Sequence, residues 1–261
     1  KQEPASEQAE PVKEEWSNNT PINESSGQPW PCVSGPWDLD NDGLFYAGKD
    51  KICHRPIWID ACSENSFGHA GVLLKFFDRR WRLKEYAFPR ERLHQQAGNL
   101  AQELAMFGAS IVPGKEKWLC RYLVEQELYT EKELHSTAKI GWYENPDLST
   151  LFVLPNQTMG KAEDGEQVVF QPDTPTFYND TLSQKSTLKE WQDNVAIPAL
   201  GNPLLCFSIM WGLATPLLNL TSEGGGGIHL YGTSSCGKTT AAQCSASVWG
   251  CGPDPQNGPE T

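Results

Sequence analysis

The chain has 261 residues and a formal charge of −12, but residues 1–50 alone hold ten Asp/Glu against three Lys. The rest is only mildly acidic, so overall charge does not exclude a nucleic-acid partner. The polar opening lacks the apolar core of a secretory leader, and the eight cysteines form no C-x-x-C pair. Cys53-His54, Cys62 and His69 match no common zinc-ligand spacing.

Residues 1–37 are rich in Glu, Gln, Ser, Asn and Pro and poor in aliphatics. Such a composition cannot offset the entropy of ordering, and it reads as a disordered acidic linker ended by Trp30, Pro31, Pro36 and Trp37. A linker starting at Lys1 rather than Met implies a longer parent protein with a domain upstream.

Residues 38–180 read as an α+β N-terminal domain. The pattern becomes β-like from Phe45, with Ile57-Trp58-Ile59 as a strand and a turn-rich Ser63–Gly68. Gly71–Phe77 and Trp81–Phe88 form a predicted hairpin around Asp78-Arg79-Arg80. Trp81 and Leu83 alternate with Arg82 and Lys84, as in a strand with one solvated face. Pro89 ends the strand and suits the first turn of a helix. Leu93, Ala97, Leu100, Ala101, Leu104 and Phe107 then recur at helical spacing, with Gly108 placed as the cap. After a short Ile111-Val112 strand, a second helix runs from about Lys115 to Leu128, with Trp118, Leu119, Tyr122 and Leu123 on its apolar face. Strand-and-turn character returns from Ala138, with a turn at Asn145-Pro146-Asp147 and strands at Leu151–Leu154 and Val168–Phe170.

Residues 181–261 read as a helical segment followed by the start of an α/β P-loop NTPase domain. Thr187-Leu188-Lys189-Glu190 has capping-box form and opens a helix containing Trp191 and Val195. Asn202-Pro203 opens an apolar helix that continues toward Leu220. Pro216 and Asn219 interrupt it and no basic flank follows, so a buried helix is expected rather than a membrane span.

Gly232-Thr233-Ser234-Ser235-Cys236-Gly237-Lys238-Thr239-Thr240 fits the phosphate-binding pattern G-x-x-x-x-G-K-[ST]. Ile228–Tyr231 before it reads as a strand, and Thr240–Trp249 after it as a helix of small residues. A triphosphate needs bare backbone N–H groups close to its oxygens. Gly232 lets the chain turn sharply and Gly237 removes a Cβ from the approach. The N–H groups of about Ser235 to Thr239 then meet the anion at the positive end of the helix. Lys238 would reach the β- and γ-phosphates of ATP, and the Thr239 hydroxyl would be a ligand of Mg²⁺. A loop containing Cys236 belongs in a reducing compartment, so free thiols and a cytoplasmic protein are expected.

Seven basic residues lie between Lys75 and Arg92. Arg79, Arg80, Trp81, Arg82 and Lys84 could follow a phosphate backbone, with Trp81 stacking on bases. A solvated sheet face with cross-strand ion pairs accounts for the same pattern.

The order of these pieces resembles the bacterial domain-of-unknown-function 927 family. The matching stretches are Glu85–Pro89, Ile111–Gly114, Thr137–Trp142, Leu151–Gly160, Leu188–Trp191, Gly226–Gly232 leading into the phosphate loop, and Ala246–Gly250. The resemblance implies a helicase or primase-helicase ATPase of phages, plasmids or integrative elements, a primase-like domain upstream, DNA as partner and a ring of identical subunits. It also implies an acidic Walker B strand downstream of the loop. Ile57-Trp58-Ile59-Asp60 mimics that strand but lies upstream and is not accepted as one. The chain is thus expected to be truncated after Walker A, and to bind nucleotide at best weakly and without turnover. A nucleotide-gated assembly module and a P-loop kinase are the alternative readings.

Overall fold

The computed structural model describes residues 29–143, 151–155, 157–160, 166–173, 182, 184, 186–221 and 225–250. The described strands form three sheets. Strands β1 (Trp37–Asp40), β2 (Gly43–Tyr46) and β3 (Asp50–Cys53) form an antiparallel meander. The main sheet has the order β11-β7-β4-β5-β6. In it β4 (Ile57–Asn65), β5 (Ala70–Phe77) and β6 (Leu83–Pro89) are antiparallel neighbours. Strand β7 (Glu133–Thr137) lies parallel to β4, and β11 (Val168–Phe170) lies parallel to β7. The third sheet is a small meander of β8 (Gly141–Trp142), β9 (Phe152–Leu154) and β10 (Gln157–Met159).

A 3-10 turn (Arg90–His94), α1 (Ala97–Met106) and α2 (Glu116–Glu127) connect β6 to β7. Leu93, Leu100 and Leu104 from the first two and Leu119, Tyr122 and Leu123 from α2 pack on one face of the sheet, against Ile57, Ile59, Val72, Leu74, Phe76, Tyr86 and Phe88. Gly108 follows α1 as expected and donates its N–H to the Ala105 carbonyl. The Tyr122 hydroxyl, fully buried, donates to the Ile57 carbonyl at 2.9 Å, which removes the cost of enclosing it.

A bulge at Asp60 decides what the other face holds. The β4–β5 register passes from Ile59↔Leu74 to Ala61↔Leu73, leaving Asp60 as the extra residue. Side chains alternate along a strand, so one extra residue reverses the parity. Ile57 and Ile59 face the helices, whereas Ala61 packs with Leu73, Ala87 and Leu134 on the opposite face. Trp30, Trp58 and Phe77 form a second cluster on that opposite face. The sheet is therefore apolar on both sides where β6 carries Tyr86, Ala87 and Phe88, which corrects the expectation of one solvated face along that strand.

Other expectations shift in detail. Strand β4 continues to Asn65, through the first part of the stretch expected to turn. Trp81 lies in the hairpin turn rather than in β6, with φ 58°. Ser110–Val112 only bridges β3, through Cys53↔Ile111. Trp30 and Trp37, placed in the linker on composition, are both buried. Gln126 holds this segment by accepting from the Ser34 N–H and donating to the Ser34 carbonyl. The predicted turn at Asn145-Pro146-Asp147 lies outside the described residues.

Past the sheets, α3 (Leu188–Trp191) opens on the expected capping box: Thr187 Oγ1 accepts from the Glu190 N–H, and the Glu190 carboxylate accepts from the Thr187 N–H. The helix continues through a π-helical stretch, Gln192–Ala196, and a last turn, Ile197–Ala199. The Asn202 side chain caps α4 (Pro203–Ala214), followed by α5 (Leu217–Leu220) and α6 (Lys238–Ala246). Three indole N–H groups tie these pieces together. Trp142 donates to the Pro216 carbonyl, Trp191 to Ser247 Oγ and Trp249 to the Gly212 carbonyl. Trp249 also stacks on Phe152 of β9 at 5.6 Å. Among the described residues no helix is long and apolar enough to cross a membrane.

Candidate functional site

The Gly232–Thr240 segment forms an exposed loop that runs into α6. Gly237 occupies the N-cap with φ 88° and ψ 8°, a left-handed conformation that glycine adopts without steric cost. Gly232 has φ 152°, and a Cβ there would lie 2.9 Å from Cys236 Sγ, so this position also requires glycine. Ser235, with φ 60°, makes the remaining sharp bend.

Lys238 is the first residue of α6. Its Nζ turns back over the loop and donates to the carbonyls of Gly232 at 3.0 Å and Thr233 at 2.6 Å. Cys236 Sγ lies 3.5 Å from the same ammonium. This closes the loop into a ring around one fixed cation. The N–H groups of Lys238, Thr239 and Thr240 belong to the first turn of α6 and have no intrahelical acceptor. With the helix dipole they present positive charge outward. Thr239 is exposed at the second helical position. The residues therefore fit a polyphosphate: amide donors, one ammonium, one hydroxyl that can join Mg²⁺, and no acidic side chain within the loop.

Ile228–Tyr231 departs from expectation. It is not a strand, and Tyr231 is 87% exposed. A strand exists only through hydrogen bonds to a neighbour, and the described strands pair in three sheets that do not include it. The α4 helix departs as well. Ser208, Ile209 and Gly212 are buried, but Phe207, Met210 and Leu213 on its other side are exposed.

The basic hairpin residues divide into two groups. Lys75 pairs with Asp60 at 3.3 Å and, across the strands, with Glu85 at 3.1 Å. Arg90 pairs with Glu127, and buried Arg92 bonds Glu103, the Tyr86 hydroxyl and the Asp173 carbonyl. Burial first, and then the Glu103 carboxylate, push the Tyr86 hydroxyl up to about 12. These side chains hold the fold.

The turn itself is built around Asp78. Its Oδ1 accepts the N–H groups of Arg80 and Arg82, and its Oδ2 accepts the Arg82 guanidinium at 2.6–2.7 Å. Burial alone would raise this carboxyl; the Arg82 and Arg80 N–H groups and the Arg82 charge outweigh it and hold the pKa below the usual carboxylate value. Arg79 and Arg80 are left exposed, and Lys84 lies in β6 opposite Phe76. Arg55, which no sequence pattern singled out, lies over the Trp81 ring at 4.3 Å.

Asp60 is engaged by Lys75 and Lys132 on the main sheet. Cys53 is buried, and desolvation pushes its thiol up to about 12. Among the described residues no group of three or more His, Cys, Asp or Glu is arranged to hold a metal ion.

A model of the family described as "Domain of unknown function (DUF927)" matches residues 39–255. The chain belongs to the DUF927 family. Its fold is shared with a solved structure described as "SCCmec type IV Cch - active helicase", with a TM-score of 0.57 and 19% sequence identity. The similarity covers 84% of this DUF927 chain and 41% of the other, so the matched part spans less than half the length of that protein. No curated protein matches the chain.

Proposed function

We propose that this chain is the nucleotide-binding part of a DNA helicase or primase-helicase ATPase of a mobile genetic element. ATP sits with its phosphates on the Gly232–Thr240 loop. The loop amides and Lys238 bind the phosphate charge, and Thr239 contributes its hydroxyl to Mg²⁺. The observation that carries the reading is the position of Lys238 Nζ, fixed on the Gly232 and Thr233 carbonyls beside the open N-terminus of α6. A point charge held there meets a phosphate with little further ordering, which lowers the entropic cost of binding. Membership of the DUF927 family and the shared fold with a protein described as a helicase support the motor part of the reading.

Binding of a fluorescent ATP analogue with Mg²⁺ tests it directly. Lys238→Ala should weaken binding at least about tenfold, consistent with losing a charge-assisted hydrogen bond, while the urea midpoint stays unchanged. Equal affinity of variant and parent would remove the loop from consideration as a nucleotide site.

A further inference from the structure

We propose that the tip of the β5–β6 hairpin, Asp78–Arg82 together with Arg55, is a docking surface for a nucleic-acid strand held through its phosphates. The choice of partner rests on the motor reading above; the surface itself rests on charge and geometry. Strand β6 is an edge of the main sheet, and the turn extends beyond the last paired residues, Phe77 and Leu83. The turn is rigid. Besides the carboxylate bonds of Asp78, the Asp78 N–H donates to the Arg82 carbonyl and the Trp81 N–H to the Asp78 carbonyl, both at 3.0 Å. Arg82 neutralises Asp78, whose side chain is enclosed. The exposed guanidinium groups of Arg79 and Arg80 then have no ion pair among the described residues, and neither does Arg55.

Three arginines without an ion pair among the described residues, two in the turn and one over its Trp81, contrast with a chain of net charge −12. Guanidinium forks match phosphate oxygens two at a time. Arg55 lies over the Trp81 ring, 4.3 Å from its centre, and its buried Nε has no hydrogen-bond partner among the described residues. The Arg–Trp stack offers a planar cationic platform to a base, in the manner of single-strand binding surfaces. The hydrogen-bonded turn means that little backbone ordering is needed on binding.

Fluorescence anisotropy of a labelled oligo(dT) with the 261-residue chain at several salt concentrations tests the proposal. The double variant Arg79→Ala/Arg80→Ala should weaken binding about tenfold or more and reduce the salt slope by about 1.4, since each phosphate contact to a single strand contributes about 0.7. Arg55→Gln should weaken it less. Lys49→Ala/Lys117→Ala removes the same charge from exposed positions elsewhere and should leave binding near the parent value. The proposal is overturned if oligo(dT) fails to bind at low salt, if the lysine pair weakens binding as much as the arginine pair, or if a poly-glutamate peptide competes equally well, which would mark an acidic protein as the occupant. Binding of the ATP analogue on the same samples separates this outcome from failure of the nucleotide reading.

Discussion

In the main-sheet region Leu44, Ile52, Val72, Leu74, Phe88, Leu104, Leu119 and Leu123 have essentially no contact with solvent, while in α4 Phe207, Met210 and Leu213 are 48%, 67% and 52% exposed. The α4 segment is more apolar in sequence than α1 or α2, so composition is not the cause. The sheet has helices on one face and the Trp30–Trp58–Phe77 cluster on the other, and both of these clusters draw on residues 30–124. The α4 helix is apolar all round but spends only its Ser208–Gly212 face, on α6. An all-round apolar helix belongs in an interior, and a contiguous exposed patch marks an interaction surface. The phosphate loop thus sits on the less enclosed of the two regions.

The sharpest way to break this contrast is to truncate one leucine in each region. Leu104→Ala should cost about 2–5 kcal/mol, a transfer term plus a cavity in a core that cannot collapse. Leu213→Ala should stay within about 0.5 kcal/mol. Urea unfolding of both variants measures this, and similar losses would mean that α4 is as enclosed as α1.

A smaller effect is expected at the contact between α4 and α6. A Cβ at Gly212 would approach the Ser245 carbonyl oxygen to 2.6 Å, so Gly212→Ala must push the helices apart. Overpacking of this kind costs about 1–3 kcal/mol. Hydrogen exchange should quicken in α6 and leave β4 and β5 unchanged; acceleration throughout would show that the two regions unfold as one.

The smallest effect concerns the hairpin turn. With its folded pKa below the ordinary value of about 3.9, Asp78 stabilises the turn fully above that pH, and the contribution is lost as pH falls through the folded value. An NMR titration of the Asp78 carboxyl carbon should therefore have its midpoint below the ordinary value. A midpoint at or above it would show that the Arg80 and Arg82 donors do not hold the carboxylate in solution.

What could be read from the sequence were features whose partners lie a few residues apart. The Thr187–Glu190 capping box, the Asn202-Pro203 helix start and the Gly108 stop all involve local hydrogen bonds, and each is present. The shape of the phosphate loop follows from Gly232, Gly237 and Lys238 within one short segment. By contrast, Glu133–Thr137 shows no strand pattern and becomes β7 only because β4 and β11 flank it. Ile228–Tyr231 has a strand pattern but lacks a neighbour to pair with among the described residues.

The sequence by itself determined the local chemistry: a glycine-bracketed loop with one lysine ahead of a helix, and a run of arginines at a hairpin. Only the tertiary structure decided which of those arginines are engaged and which are left exposed, through Asp78 beneath the turn and Arg55 on Trp81. It also set both sheet faces, through one bulged residue at Asp60. The physical reason is separation along the chain. Contacts such as Tyr122 with Ile57 or Gln126 with Ser34 span 65 and 92 residues, and pairings at that range leave no periodic trace in the sequence.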